Sequence, residues 1–201
     1  MSKPYKDFEP KWYLETPPKR SYRSIFKWGD PSFNKVPKEN LYKMMKEIFH
    51  LTDDDFKQYA EPLGLEEVKL QKPCALSDEV IAALQAIVGK ENVSTDDYDR
   101  LSVAYGKTMF DLLRLRKHIA DNVPDCVVYP SDKTQVEKIV QLCSLHKIPL
   151  YVYGGGSSVT RGVEPVNGGI SLDMRRHFNK VIEFNEIDQT ITVQAGISGP
   201  D

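Results

Sequence analysis

Apolar side chains at Leu41, Met44, Met45, Ile48 and Phe49 recur at i, i+3, i+4, i+7 and i+8. That period predicts an amphipathic helix over 38–50. Thr52 followed by Asp55 is a capping pair that opens a short second helix. Ser77 can cap a third, with Val80, Ile81, Leu84, Ile87 and Val88 as its stripe and Gly89 as its stop. The Met and Leu positions read as core rather than as a cofactor surface. Residues 95–120 read as further helix. Asp96, Asp97 and Asp99 crowd its start, and Arg114, Arg116, Lys117 and His118 its end, as the helix dipole favours. The three carboxylates do not match a calcium loop, because no Gly or distant Glu follows in register, and no metal is expected.

The pattern changes at Pro124. Cys126 to Tyr129 is a short apolar strand ended by Pro130. Ser131 or Asp132 then caps a helix with Val136, Ile139, Val140 and Cys143 on its apolar side. Leu150 to Tyr153 is a second strand running straight into three glycines, and Ile170 to Met174 is a third. Val181 to Phe184 and Thr190 to Ala195 form a hairpin turning near 186–189, with Ile191, Val193 and Ala195 alternating as one buried face. The order strand, helix, strand, glycines has a right-handed parallel unit as its default. The fold class is α/β (α+β).

Composition refines this. The chain has 201 residues, 40% apolar and 28% charged, which suits one good core and argues against wholesale disorder. A net charge of −2 gives no reason to expect a nucleic-acid partner. Residues 1–50 hold eleven Lys and Arg against six Asp and Glu, whereas 51–80 hold three against eight. The basic segment reads first as a solvated face, and second as a peripheral contact for an anionic membrane. Residues 1–37, rich in proline, are expected to form an extended arm anchored by Trp12, Phe26, Trp28 and Phe33. Residues 38–120 then make a helical region, and 121–201 a second unit. Cys74, Cys126 and Cys143 are odd in number and show no CxxC pair, so neither a disulfide framework nor a zinc site is expected. Met1 to Glu15 is polar and aromatic, unlike a signal peptide, and Val80 to Val88 is too short to span a bilayer. A cytoplasmic location is expected.

The informative segment is Gly154-Gly155-Gly156-Ser157-Ser158-Val159. Glycines directly after a strand reach backbone conformations closed to other residues and let a ligand approach the main chain. Successive N–H groups in such a loop point into one hollow that holds a phosphate or diphosphate. The two serines add hydroxyl donors. Val159 breaks the dinucleotide fingerprint, and Arg161-Gly162 breaks the nucleotide-triphosphatase loop. A tight turn that merely needs small residues is the competing reading. Among the histidines, His50, His118 and His146 fit helix ends, and His177 follows a strand in a turn that reads as solvated.

The run from Pro124 through Ala195 resembles the FAD-binding domain of the vanillyl-alcohol-oxidase, or PCMH, type. The matching pieces are Pro124 to Pro130, Thr134 to Val140, Ile148-Pro149, the glycine loop, Gly168 to Met174 and Val193 to Ile197. Ala82 to Asp96 is similar to the lead-in of the glycolate oxidase and D-lactate dehydrogenase branch. Phe26-Lys27-Trp28-Gly29, Asp99-Arg100, Tyr105-Gly106-Lys107, Leu113 to Arg116 and Val123-Pro124-Asp125 resemble the alkyldihydroxyacetonephosphate synthases. That branch has Thr where Ser157 stands.

The resemblance implies a helical N-terminal region followed by the first subdomain of a PCMH-type FAD-binding domain. It places Val152, Tyr153, Gly154, Gly155, Gly156, Ser157, Ser158 and Val159 around the FAD diphosphate. It implies non-covalent FAD, because Ser157 stands near where covalent members use a histidine. The family's catalytic residues fall beyond Asp201, so the chain is expected to be an N-terminal portion and no catalytic residue is assigned. For the full-length form the resemblance implies an FAD-linked oxidase or dehydrogenase acting on a 2-hydroxy acid or similar small-molecule alcohol. The alternative is a flavin-dependent transferase of ether-lipid synthesis. A third reading is a non-catalytic binding or assembly module with a structural glycine loop. A homo-oligomer is expected for the full-length form.

Overall fold

The computed structural model describes residues 17–25, 38–57, 62–106 and 108–199. Trp12, Phe26, Trp28 and Phe33 lie outside them. Three helices come first: α1 (Tyr22–Ile25), α2 (Glu39–Phe49) and α3 (Asp53–Lys57). The Thr52 N–H and hydroxyl both donate to Asp55 Oδ2 at 2.7 Å, so the capping pair forms as expected. The α2 stripe, however, is not core. Leu41, Met44, Ile48 and Phe49 are exposed, and Tyr42 is the buried residue. Tyr42 packs edge-on against Phe56 of α3 with ring centroids 4.5 Å apart, which turns the stripe outward.

Helix α4 (Asp78–Val88) starts on the Ser77 hydroxyl, which accepts from the Val80 N–H at 3.4 Å. It stops at Gly89, where φ is 91°. After a short turn, β1 (Val93–Ser94) is a two-residue strand that the apolar pattern does not reveal. The expected helix over 95–120 is two helices, α5 (Asp97–Ser102) and α6 (Met109–Arg116). Asp96 caps the first, accepting from the N–H groups of Tyr98 and Asp99. Thr108 caps the second, accepting from the Asp111 N–H. In the connection Gly106 lies so close to the Ser158 carbonyl that a Cβ there would collide with its oxygen, so two backbones cross at this point.

The acidic trio is spent on structure. Asp96 pairs with Arg20 at 2.6 Å, Asp97 accepts from the Leu70 N–H at 2.9 Å, and Asp99 accepts from the Ser94 hydroxyl at 2.6 Å. Arg100 is 1% exposed and donates to the carbonyls of Pro124 and Lys72, at 2.8 and 2.9 Å. Among the described residues no cluster of His, Cys, Asp and Glu could hold a metal, and no helix is long and apolar enough to cross a membrane.

The second half begins with β2 (Cys126–Val128), α7 (Lys133–His146), β3 (Leu150–Tyr153) and β4 (Ile170–Asp173). The sheet order is β1-β2-β4-β3, with β2, β4 and β3 parallel and β1 antiparallel to β2. Strand β2 is buried throughout, as a strand covered on both faces must be. One face packs on α4 and α7 through Leu84, Cys126, Val128, Ile139, Cys143, Ile170 and Leu172. The other gathers Val103, Val127, Tyr129 and Tyr153. Asp132 caps α7, accepting from the Gln135 N–H at 2.9 Å, while Val140 of the expected apolar side is exposed. Both Cys126 and Cys143 are buried thiols pushed up by desolvation, as inert core residues are.

Strands β5 (Val181–Asn185) and β6 (Thr190–Val193) form the expected hairpin as a separate two-stranded sheet. Its expected buried face is exposed: Ile191, Val193 and Ala195 all meet solvent. The alternation is real, but the four-stranded sheet is not hydrogen-bonded to this hairpin.

Candidate functional site

The parallel strands β2, β4 and β3 end on one edge of the sheet, and ligands of open α/β sheets bind outside such carboxyl ends. Tyr129 follows β2, the glycines follow β3, and Asp173 to Arg175 close β4. This edge is assembled from residues far apart in sequence. At the opposite, amino-terminal edge Asp125 ties β2 to β4, its two carboxylate oxygens accepting from the Ala75 N–H at 2.9 Å and the Gly169 N–H at 2.5 Å.

The glycine loop is specific at each position. Gly155 has open space where a Cβ would stand. Gly156 is buried, has φ of 64°, and a Cβ there would collide with the Tyr153 hydroxyl. Gly154 lies under the Ala195 carbonyl, 3.0 Å from the position of a Cβ. Among the described residues the N–H groups of Gly154 through Ser158 donate to no protein acceptor. The Ser158 hydroxyl accepts from the Gly162 N–H at 2.9 Å, and Ser157 is exposed. Unsatisfied amides beside open space are able to meet an anion, because each N–H carries a fixed partial positive charge.

Of the eight residues singled out in the sequence, Val152, Gly155, Ser157 and Val159 are exposed, Gly154 and Ser158 are half-buried, and Tyr153 and Gly156 are buried. Tyr153 is 4% exposed and forms the floor of the loop. Its ring lies 4.6 Å from the Arg175 guanidinium, which is held by Asp173 at 2.6 Å. Burial raises the Tyr153 phenol, and the nearby Arg175 offsets this in part, so the hydroxyl stays protonated. Tyr129 is pushed up to about 12, mainly by burial, and the Arg176 guanidinium stacks 3.5 Å from its ring centroid. His177 does not reach the loop: its Nε2 meets Asn92 Oδ1 at 3.0 Å. His50 and His118 adopt left-handed conformations just after α2 and α6, and His146 ends α7.

Three residues that sequence reasoning did not single out for the site bear on the loop. They are Gly106, Asp111 and Arg161. A cavity of about 620 Å³ beside the loop is lined by Phe110, Asp111, Arg114, Val159 and Arg161. No local sequence signal marks them, because their roles depend on the helical segment meeting the loop.

Residues 124–201 match the FAD binding domain family. The alkyldihydroxyacetonephosphate synthase of Trypanosoma brucei brucei is 31% identical over 176 residues, covering 84% of this chain and 28% of that protein. Glycolate oxidase subunit GlcD of Bacillus subtilis is 28% identical over 122 residues, covering 61% of this chain and 24% of that protein. A solved alkyldihydroxyacetonephosphate synthase superposes with a TM-score of 0.60 at 32% identity, covering 67% of this chain and 26% of that one. The chain therefore spans a little over a quarter of the length of the synthase it matches.

Proposed function

We propose, from the membership of residues 124–201 in the FAD-binding domain family, that this chain contributes the diphosphate-holding part of a flavin site to a flavin-dependent enzyme. The unpaired amides of Gly154 through Ser158 carry this reading. In it, residues 1–37 are an arm, 38–120 a helical region, and 121–201 the first part of the flavin domain. The open space over Gly155 fits a diphosphate brought close to the main chain. The amides of 154–158 would hold its oxygens, Ser157 would add a hydroxyl, and Val152 and Val159 would flank it. Tyr153 would support the loop from below. No histidine stands in the loop, which supports non-covalent attachment.

When bound, the flavin supplies the redox or carbon-bond chemistry, and the protein supplies orientation and electrostatics. Two activities on small molecules fit. One is oxidation of a 2-hydroxy acid or alcohol. The other is ether formation of the alkyldihydroxyacetonephosphate synthase kind. The extent of similarity favours the second, because the synthase match takes in 84% of the chain, against 61% for the glycolate oxidase subunit. A cytoplasmic, homo-oligomeric full-length enzyme completes the proposal, its basic N-terminal segment a solvated face first and a peripheral contact for an anionic membrane second. Purified full-length protein is expected to be yellow with a flavin spectrum, and colourless protein that takes up no added FAD defeats the proposal. Ether production from an acyl-dihydroxyacetone phosphate and a fatty alcohol supports the transferase. Anaerobic bleaching of the flavin by glycolate or D-lactate instead supports the oxidase.

A further inference from the structure

The loop amides have no acceptor among the described residues, so other contacts must fix the loop that carries them. We propose that Arg161 is a positioning residue that ties the 154–162 loop to α6. The inference rests on reading that loop as the diphosphate site.

Arg161 has φ of 64°, in the left-handed region that a side chain adopts only at an energetic cost. The surroundings must therefore over-determine it, and they do. Its Nε lies 3.4 Å from Asp111 Oδ1 and 3.0 Å from Glu164 Oε2. Its guanidinium sits 5.6 Å from the centre of the Tyr105 ring. Asp111 is 1% exposed and belongs to α6, and Glu164 receives the Asn122 amide at 2.7 Å. Neither Asp111 oxygen makes a hydrogen bond, nor do Arg161 Nε and Nη2, so charge holds this contact rather than bond alignment.

The connection that precedes α6 touches the loop as well. The crossing of Gly106 against the Ser158 carbonyl fixes one end of the Ser158-to-Arg161 stretch, and Arg161 on Asp111 fixes the other. Between them the Ser158 hydroxyl bonds the Gly162 N–H. The 158–161 stretch that leads out of these amides is thus held from outside by two anchors on residues more than forty positions earlier in the chain. Loss of one anchor loosens that stretch, and an anion site requires its donors held in place.

Removing Arg161 alone strands a buried carboxylate and is liable to unfold the protein. The test therefore uses Arg161→Gly together with Asp111→Asn, which relieves the backbone conformation and leaves no uncompensated charge. FAD titration by flavin fluorescence on the full chain is expected to show affinity about tenfold weaker. Hydrogen exchange without flavin is expected to speed up in the peptide spanning 158–168, with the thermal midpoint little changed. Arg161→Lys keeps the cation and is expected to bind FAD within about threefold of wild type. Unchanged affinity and unchanged exchange overturn the proposal. Weaker affinity with unchanged exchange also overturns it, since Arg161 then touches the flavin directly. Faster exchange in a chain whose wild type takes no FAD leaves the tie standing and removes the diphosphate reading beneath it.

Discussion

Gly155 and Gly156 are neighbours with opposite tolerances. A methyl group at Gly155 enters open space, whereas one at Gly156 meets the Tyr153 hydroxyl at a backbone φ of 64°. Gly156→Ala is therefore expected to destabilise the fold by roughly 1–3 kcal/mol and to abolish detectable FAD binding. Gly155→Ala is expected to leave stability within about 0.5 kcal/mol and to weaken FAD only by crowding the ligand. Urea midpoints and FAD titration separate the two. Asp96 sets an acid limit at the same scale. Burial alone would raise its carboxyl, but the Arg20 guanidinium and the amides of Asp99 and Tyr98 outweigh burial and hold it below the usual range. A carboxyl lowered by folding stabilises above its unfolded value, near 4, and that contribution disappears as pH falls through the folded value. Both partners are more than a third exposed, so solvent screening keeps the effect small. Stability measured from about pH 5 down to about pH 2 is expected to fall less steeply in Asp96→Asn than in wild type.

At the scale of elements, the caps were the most legible feature. Ser77, Asp132 and the Thr52–Asp55 pair sit where the sequence places them, because a cap is satisfied by amides two or three residues away. Asp132→Ala is accordingly expected to cost about 1 kcal/mol in urea unfolding with an unchanged slope. The strands around the glycine loop were legible for a similar local reason, as apolar runs closed by Pro130 and by Gly154. Features set at long range were not. In the connection between α5 and α6, Gly106 meets the backbone of Ser158, a contact invisible in any window around either residue. The α2 stripe showed which residues share a face but not that Tyr42 would take the inner side. Strand β1 is too short to carry a period, and it exists through its pairing with β2. The candidate site divides the same way. Its glycines and serines announce themselves, while Asp111 and Arg161 acquire a role only when α6 arrives beside the loop.

At the scale of the whole molecule, the β5–β6 hairpin is poorly covered among the described residues. Ile182, Phe184, Ile187 and Ile191 are all exposed, Ile187 at 94%. Apolar side chains concentrated on a small two-stranded sheet favour association. The 201-residue chain is expected to self-associate with rising concentration in light scattering. Phe184→Thr with Ile191→Thr is expected to lessen that without lowering the thermal midpoint. A chain that stays monomeric at high concentration would show that these side chains cost nothing in water.

The placing of β4 between β2 and β3 also sets an order of events during synthesis. Both flanking strands, β2 and β3, leave the ribosome first, each with an unfilled edge, and neither can be paired on that edge until Ile170 to Asp173 follow. For that interval the nascent chain is a substrate for chaperones that capture open strands. The edge that carries the glycine loop, which needs the ends of all these strands, is among the last features of the parallel sheet to exist.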